Sequence, residues 1–234
     1  MDDNWHQLSS VDVMVDLDVN DSGLSDHEVV SRREKYGENK LAEPERVPGW
    51  KRFLSQYNDP LNYLLIGAAI VALLIHPDEP GDAIFIFMVL TANAYFGYWQ
   101  EGQAEQAMES LKQMSVSQCV VVRNDIDVEI ATSELVPGDI VNLYEGLNVP
   151  ADIRVLESYQ CRIDESALTG ESLTIEKTSQ SLPQDTLLAD RKNMAFMGTC
   201  VASGRAVGVV VSTGMRTQLG RIASDNASSD TPKT

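Results

Sequence analysis

The sequence predicts an α+β membrane protein, in which a two-helix transmembrane hairpin with a helical stalk carries a β-rich domain. Three observations lead there. Residues 61–75 and 83–99 contain no Asp, Glu, Lys or Arg, although charged residues make up 23% of the chain. The helical period of the second stretch continues past its apolar end, with Ala104, Ala107, Met108, Leu111 and Met114 recurring between Glu101, Glu105, Glu109 and Lys112. Beyond residue 117 the period changes from helix to strand.

The N-terminal elements come first. Val11, Val13, Val15 and Leu17 alternate, which predicts a short strand or an ordered arm. Between Leu24 and Gly37 the signals of a short helix stand in order. Ser25 and Glu28 form a capping box, Leu24 and Val29 a hydrophobic staple, and Gly37 a stop. Val29, Arg33 and Tyr36 share one face of it. Pro44 and Pro48 make 38–49 a connector.

Trp50-Lys51-Arg52-Phe53, followed by Tyr57, has the aromatic and basic character of a membrane-surface anchor. The spans are expected over about 60–76 and 82–100. The segment 76–82 between them has no Lys or Arg, so positive-inside bias puts both flanks in the cytosol. Trp50, Phe53 and Tyr57 then meet the same interface as Tyr95, Tyr98 and Trp99. Gly67, Ala68, Ala69, Ala94 and Gly97 allow close packing in lipid, and Asn62 and Asn93 read as interhelical hydrogen-bond groups. A helix over 83–114 would be roughly 48 Å long. Its outer part, 101–116, is the stalk, with Gly102 as its weak point.

The β domain is expected over 117–224. Strands are predicted at 119–122, 126–130, 140–144, 153–156 and 207–211, separated by Arg123-Asn124-Asp125, Pro137-Gly138-Asp139, Pro150-Ala151-Asp152 and Ser212-Thr213-Gly214. A closing helix is predicted at 218–224 and a loose polar tail at 225–234.

Charge and cysteines narrow the function. A net charge of −17 and a pI near 4.4 exclude a nucleic-acid binder, whose phosphate contacts need clustered Lys and Arg. Cys119, Cys161 and Cys200 lack metal-type spacing and read as reduced, semi-buried residues of a cytosolic domain. Residues 1–7 lack the pattern of a signal peptide, so the N-terminus is expected in the cytosol.

The stretch with chemical potential is Arg162-Ile-Asp-Glu-Ser-Ala-Leu-Thr-Gly-Glu-Ser172. Its second half is small and hydroxylated, so the backbone can turn tightly and approach another surface. Glu171 sits at the tip. A carboxylate there can hold or deprotonate a water, provided the electrophile comes from elsewhere.

With the hairpin and stalk, Asp164-Glu165-Ser166-Ala167-Leu168-Thr169-Gly170-Glu171-Ser172 resembles the N-terminal third of a P-type cation-transporting ATPase. Val136-Pro137-Gly138-Asp139-Ile140-Val141, Val149-Pro150-Ala151-Asp152-Ile153-Arg154, Phe196-Met197-Gly198-Thr199, Thr213-Gly214 and Gly220-Arg221-Ile222-Ala223 look like that family's actuator domain. Gly23-Leu24-Ser25 to Tyr36-Gly37-Glu38-Asn39 looks like its N-terminal region. The resemblance implies a cytosolic N-terminal region at 1–49, a transmembrane hairpin at 50–100, a stalk at 101–116 and a distorted jelly-roll-like actuator domain at 117–224.

It also implies a mechanism. Such pumps form an aspartyl phosphate from ATP and Mg2+, and the actuator rotates to bring its loop to it. Glu171 positions or activates the water for dephosphorylation, while Thr169, Gly170 and Ser172 shape the loop. The partners implied are the lipid bilayer, the transported cation, and the phosphorylation, nucleotide and transport domains of a pump. The chain departs from the family in lacking an Asp-Lys-Thr-Gly-Thr motif and a nucleotide domain. It also lacks the acidic residue that usually follows Gly146. No cofactor is expected on this chain, and by itself it is expected to be inactive. It is expected to be a fragment, a truncated product or a piece of a split pump. The alternative function is a non-enzymatic, membrane-anchored product that associates or interferes with a full-length pump.

Overall fold

The first helix, α1 (Ser10–Asp16), lies where alternating valines predicted a strand or arm. The Ser9 hydroxyl accepts from the Asp12 amide and starts a helix. Residues two apart on a helix are separated by about 200°, so Val13 turns inward while Val11 and Val15 turn outward. Accordingly Val13 is fully buried, whereas Val11 and Val15 are 71% and 70% exposed. A period of two was therefore compatible with either element. The second helix, α2 (Asp26–Tyr36), has the expected reciprocal capping box between Ser25 and Glu28, and Gly37 ends it at φ 78°. Leu24 and Val29 pack together with Val136.

The computed structural model describes residues 4–42, 48–75, 80–114, 117–170 and 174–229. They fall into two compact units. Residues up to 42 join those from 117 onward in one, and the residues between form the other.

The intervening unit is helical: α3 (Gly49–Ser55), α4 (Pro60–Ile75) and α5 (Gly81–Met114). Arg52 of α3 pairs with Glu101 at 3.4 Å and Glu105 at 2.6 Å on α5. Phe53 meets Tyr57 and Tyr98 edge-on at ring distances of 5.8 and 6.3 Å, which brings together the aromatic groups at the two ends of the predicted hairpin. Helix α5 runs through Gly102 without a break. Among the described residues, α5 alone is long and apolar enough to cross a membrane, over Gly81–Met108. Helix α4 reaches that length only when taken with α3, across a bend of 75°. Asn62 is not the interhelical group expected. Its amide donates to the Gln56 carbonyl at 2.7 Å, serving the backbone at the α3–α4 bend, and Asn93 is exposed.

The other unit is built on one antiparallel sheet of β1 (Gln118–Arg123), β2 (Ile126–Ala131), β3 (Ile140–Tyr144), β4 (Asp152–Asp164), β5 (Thr174–Glu176), β6 (Met194–Ala195) and β7 (Cys200–Ser212). The strand order is β2-β1-β3-β7-β4-β5, with β6 also on β4. Asn124 and Asp125 close the β1–β2 hairpin with φ of 50° and 63°, conformations that Asn and Asp tolerate. Strand β2 alternates as predicted, yet only Ile130 is buried, because β2 is an edge strand. The two 13-residue strands are far longer than the predicted 153–156 and 207–211. Register shifts between them break the alternation on which the prediction relied. Gln160, at φ 51°, and Gly204 form one such irregularity, where a Cβ on Gly204 would lie 2.3 Å from the Gln160 carbonyl.

A short helix, α6 (Ser166–Thr169), follows β4, and α7 (Gln218–Ser229) follows β7. Asp152 accepts from the Gln218 amide at 2.7 Å, and the Thr217 hydroxyl accepts from Gly220 at 3.0 Å, so α7 is firmly started. Propagation then costs little, and residues 225–229 continue the helix in place of the loose tail predicted. Residues 230–234 lie outside the described residues.

The main core lies on the sheet and includes Val121, Leu143, Ile153, Cys161, Ile163, Val201 and Val210. A second cluster joins α1 to the sheet through Val13, Phe196, Val209 and Val211. Three buried polar groups tie the N-terminal segment down. Arg154 donates to the carbonyls of Trp5 at 3.1 Å, Leu8 at 2.9 Å and Ser179 at 3.0 Å, and burial lowers its pKa to about 10. Asn193 donates to His6 and Gln180. Asn39 donates to Thr132 and Pro150 and accepts from Gly214.

Candidate functional site

The sequence-predicted loop projects from the end of β4. Strand β5 returns alongside, pairing Arg162 with Glu176, Ile163 with Ile175 and Asp164 with Thr174. Sequence patterning did not predict β5, since three residues carry too little period to register.

Asp164 begins the turn. Its carboxylate accepts from the Ser166 amide at 2.9 Å, and bonding to the Ser166 side chain and then to its backbone holds its pKa below the ordinary value. Helix α6 then makes a single turn, with Leu168 N–H donating to Glu165 and Gly170 N–H to Ser166, each at 2.9 Å. Gly170 ends it in the left-handed region at φ 75° and ψ 0°, where a side chain is strained. Leu168 packs against the cluster of Val13 and Phe196, anchoring the turn to the domain.

Of the four predicted site residues, Thr169 closes α6 and Gly170 caps it, exposed. Glu171 and Ser172 lie outside the described residues. The loop's root is well defined. Glu165 and Lys177 are both buried and paired, with Nζ donating to Oε1 at 2.6 Å. Burial pushes the Glu165 carboxyl up and the Lys177 ammonium down, while each draws the other back toward its charged form. The Lys177 amide also donates to the Cys161 carbonyl at 2.8 Å. Sequence reasoning singled out neither Lys177 nor its pairing. The signal available was a Lys directly after the Thr174-Ile175-Glu176 alternation, twelve residues from Glu165.

Two other motif blocks hold the frame. Asp139, fully buried, accepts from two Arg123 guanidinium nitrogens, Nε and Nη2, at 2.8 Å each and from the Val136 amide at 2.9 Å. Arg32 of α2 reaches the same turn, donating to the Pro137 carbonyl at 2.8 Å and to Leu17 at 2.7 Å. Among the described residues there is no group of three or more His, Cys, Asp or Glu that could hold a metal ion.

Residues 113–226 match the family model of the P-type ATPase actuator domain, and residues 5–72 match that of the cation transporter/ATPase N-terminus. The chain belongs to the P-type cation-transporting ATPases, of which it carries the N-terminal and actuator regions. It is 40% identical to Calcium-transporting ATPase 1 of Bacillus cereus over 94% of the chain and 25% of the relative. It is 37% identical to the Calcium-transporting ATPase of Bacillus subtilis over 94% of the chain and 25% of the relative. With the Probable cation-transporting ATPase F of Mycobacterium tuberculosis it shares 42% identity over 86% of the chain and 22% of the relative. The chain thus spans about a quarter of the length of the curated relatives it matches.

Proposed function

We propose that this chain is the N-terminal and actuator portion of an ATP-driven P-type cation pump, and that its loop dephosphorylates the pump's aspartyl phosphate. Glu171 is the group that orients and activates the attacking water. Thr169, Gly170 and Ser172 shape the loop so that it can enter a crowded site. The observation that carries this reading is the loop's construction. A one-turn helix capped by a left-handed glycine stands at the end of a two-strand ladder, anchored through Leu168 and a buried ion pair. A carboxylate on such a mount can be presented to another surface, and membership of the P-type ATPases is what makes a phosphoryl group of another domain the proposed target.

The names of the Bacillus relatives make calcium the cation proposed. A membrane hairpin formed by the α3–α4 pair and α5, with both flanks cytosolic, is part of the same reading. It is supported by Lys51 and Arg52 ahead of α4, and by apolar side chains left exposed on both helices. Leu64 and Leu74 on α4 and Phe85 and Phe87 on α5 are each more than 60% exposed, a surface that water does not favour.

The test is a complete pump carrying this segment with Glu171→Ala. Phosphoenzyme should form from ATP at the normal rate and then persist. Its decay should slow by roughly 100-fold or more, the range that general-base groups contribute. Decay at the wild-type rate would overturn the assignment.

A further inference from the structure

We propose that the buried Glu165–Lys177 pair is a positioning device that fixes the direction of α6, the turn after which the chain continues to Glu171. The inference rests on the reading of Glu171 given above. Glu165 is the first residue beyond the β4–β5 ladder at its loop end, and Lys177 is the first residue beyond the ladder's opposite end. The ion pair therefore runs along the ladder and ties its far end to the residue from which α6 starts.

The ladder alone is a poor register lock. It joins three residue pairs, of which only Ile163 is buried among core side chains. Register is weakly specified when few side chains are committed to one face. Lys177 adds two constraints at once, its amide to the Cys161 carbonyl at 2.8 Å and its ammonium to Glu165 at 2.6 Å. A one-residue slip would break both. It would also expose the charged groups of a pair whose side chains are 0% and 1% accessible.

Fold stability does not explain the choice of an ion pair here. Desolvating two charges offsets most of their attraction, and well-packed apolar residues of similar volume serve a fold as well or better. Directionality is what an apolar contact lacks. The ion pair admits one alignment of the two strands, and α6 grows directly from Glu165, whose carbonyl accepts the Leu168 amide. Orientation set at Glu165 is carried through the single turn of α6 to Gly170, the residue before Glu171. A displacement of about 1 Å at a reacting group can cost on the order of 100-fold in rate.

The experiment pairs two variants of a complete pump carrying this segment, Glu165→Leu with Lys177→Met, and Glu171→Ala. Phosphoenzyme formation from ATP, phosphoenzyme decay and the thermal midpoint are read for each. In the double variant we expect formation and midpoint to be retained and decay to slow by about tenfold or more. Decay at the wild-type rate in a folded double variant overturns the positioning role. If Glu171→Ala stalls decay while the double variant decays normally, the Glu171 reading stands and the positioning inference falls. If Glu171→Ala itself decays normally, the reading beneath it falls. Should the double variant fail to fold, Glu165→Asp applies the same test. It keeps the charges and shortens the root by one methylene, and slowed decay with normal formation is again expected. Unchanged decay in that variant counts against the role, because a purely structural pair would tolerate the change.

Discussion

Truncating Asp139 to Ala would leave the Arg123 guanidinium, 9% exposed, without the carboxylate that takes two of its nitrogens. It would also free the Val136 amide. Uncompensated buried charge of this kind costs about 3–5 kcal/mol. The expected outcome for Asp139→Ala is a large fall in the thermal unfolding midpoint, and the Arg123→Met, Asp139→Leu double variant should recover much of it. A single variant as stable as wild type would refute the account. At this scale the sequence was informative about the turn and silent about the pairing. Pro137-Gly138-Asp139 announces a turn, whereas the partner on β1 sits sixteen residues earlier and is linked to it only through the sheet. The same holds for Glu165 and Lys177. A motif can mark one half of a buried pair, and only topology brings in the other.

At the scale of elements, α2 was legible because its start and stop are local chemistry, and α1 was not because its valines satisfy two periods at once. The capping box makes a specific claim. The Ser25 side chain and backbone bond Glu28 and hold its pKa below the ordinary 4.5. A lowered folded pKa gives stability that is present above the unfolded value and lost as pH falls through the folded one. Ser25→Ala should therefore cost about 1 kcal/mol near neutral pH. The difference from wild type should shrink as pH falls below 4.5, which urea midpoints over that range would check. A difference independent of pH would mean that the carboxylate contributes nothing. Strand ends were less legible than helix ends. The turns flanking β4 and β7 were found, but the outer halves of both strands carry register shifts and polar residues such as Glu157, Ser158 and Gln160. Their pairing is set by the partner strand rather than by their own pattern.

For the whole molecule, the sequence separates apolar from acidic segments. Residues 61–75 and 83–99 carry no ionised side chain, while the complete sequence carries a charge of −17. When the chain is expressed in cells, it should remain with the membrane fraction after extraction at alkaline pH and require detergent for release. Recovery in the soluble fraction would contradict the membrane reading of α4 and α5. The α+β class and the antiparallel sheet after residue 117 were visible from sequence, because the change from a helical to a strand period is written in the pattern of residues. What composition does not record is that the residues up to 42 and those from 117 onward share a single fold.

That shared fold imposes an order on synthesis. Trp5, His6 and Leu8 emerge early, yet the groups that hold them are Arg154 and Asn193, 149 residues from Trp5 and 187 from His6 respectively. The leading segment must wait, undocked, while residues 43–116 are synthesised. Only after β4 and the strand leading to Phe196 have been translated does it find carbonyl-binding partners. Docking of the N-terminal segment thus follows synthesis of everything that lies between the two parts of its unit. A chain that stalls before β4 would leave the N-terminal segment without the groups that hold it and open to proteolysis.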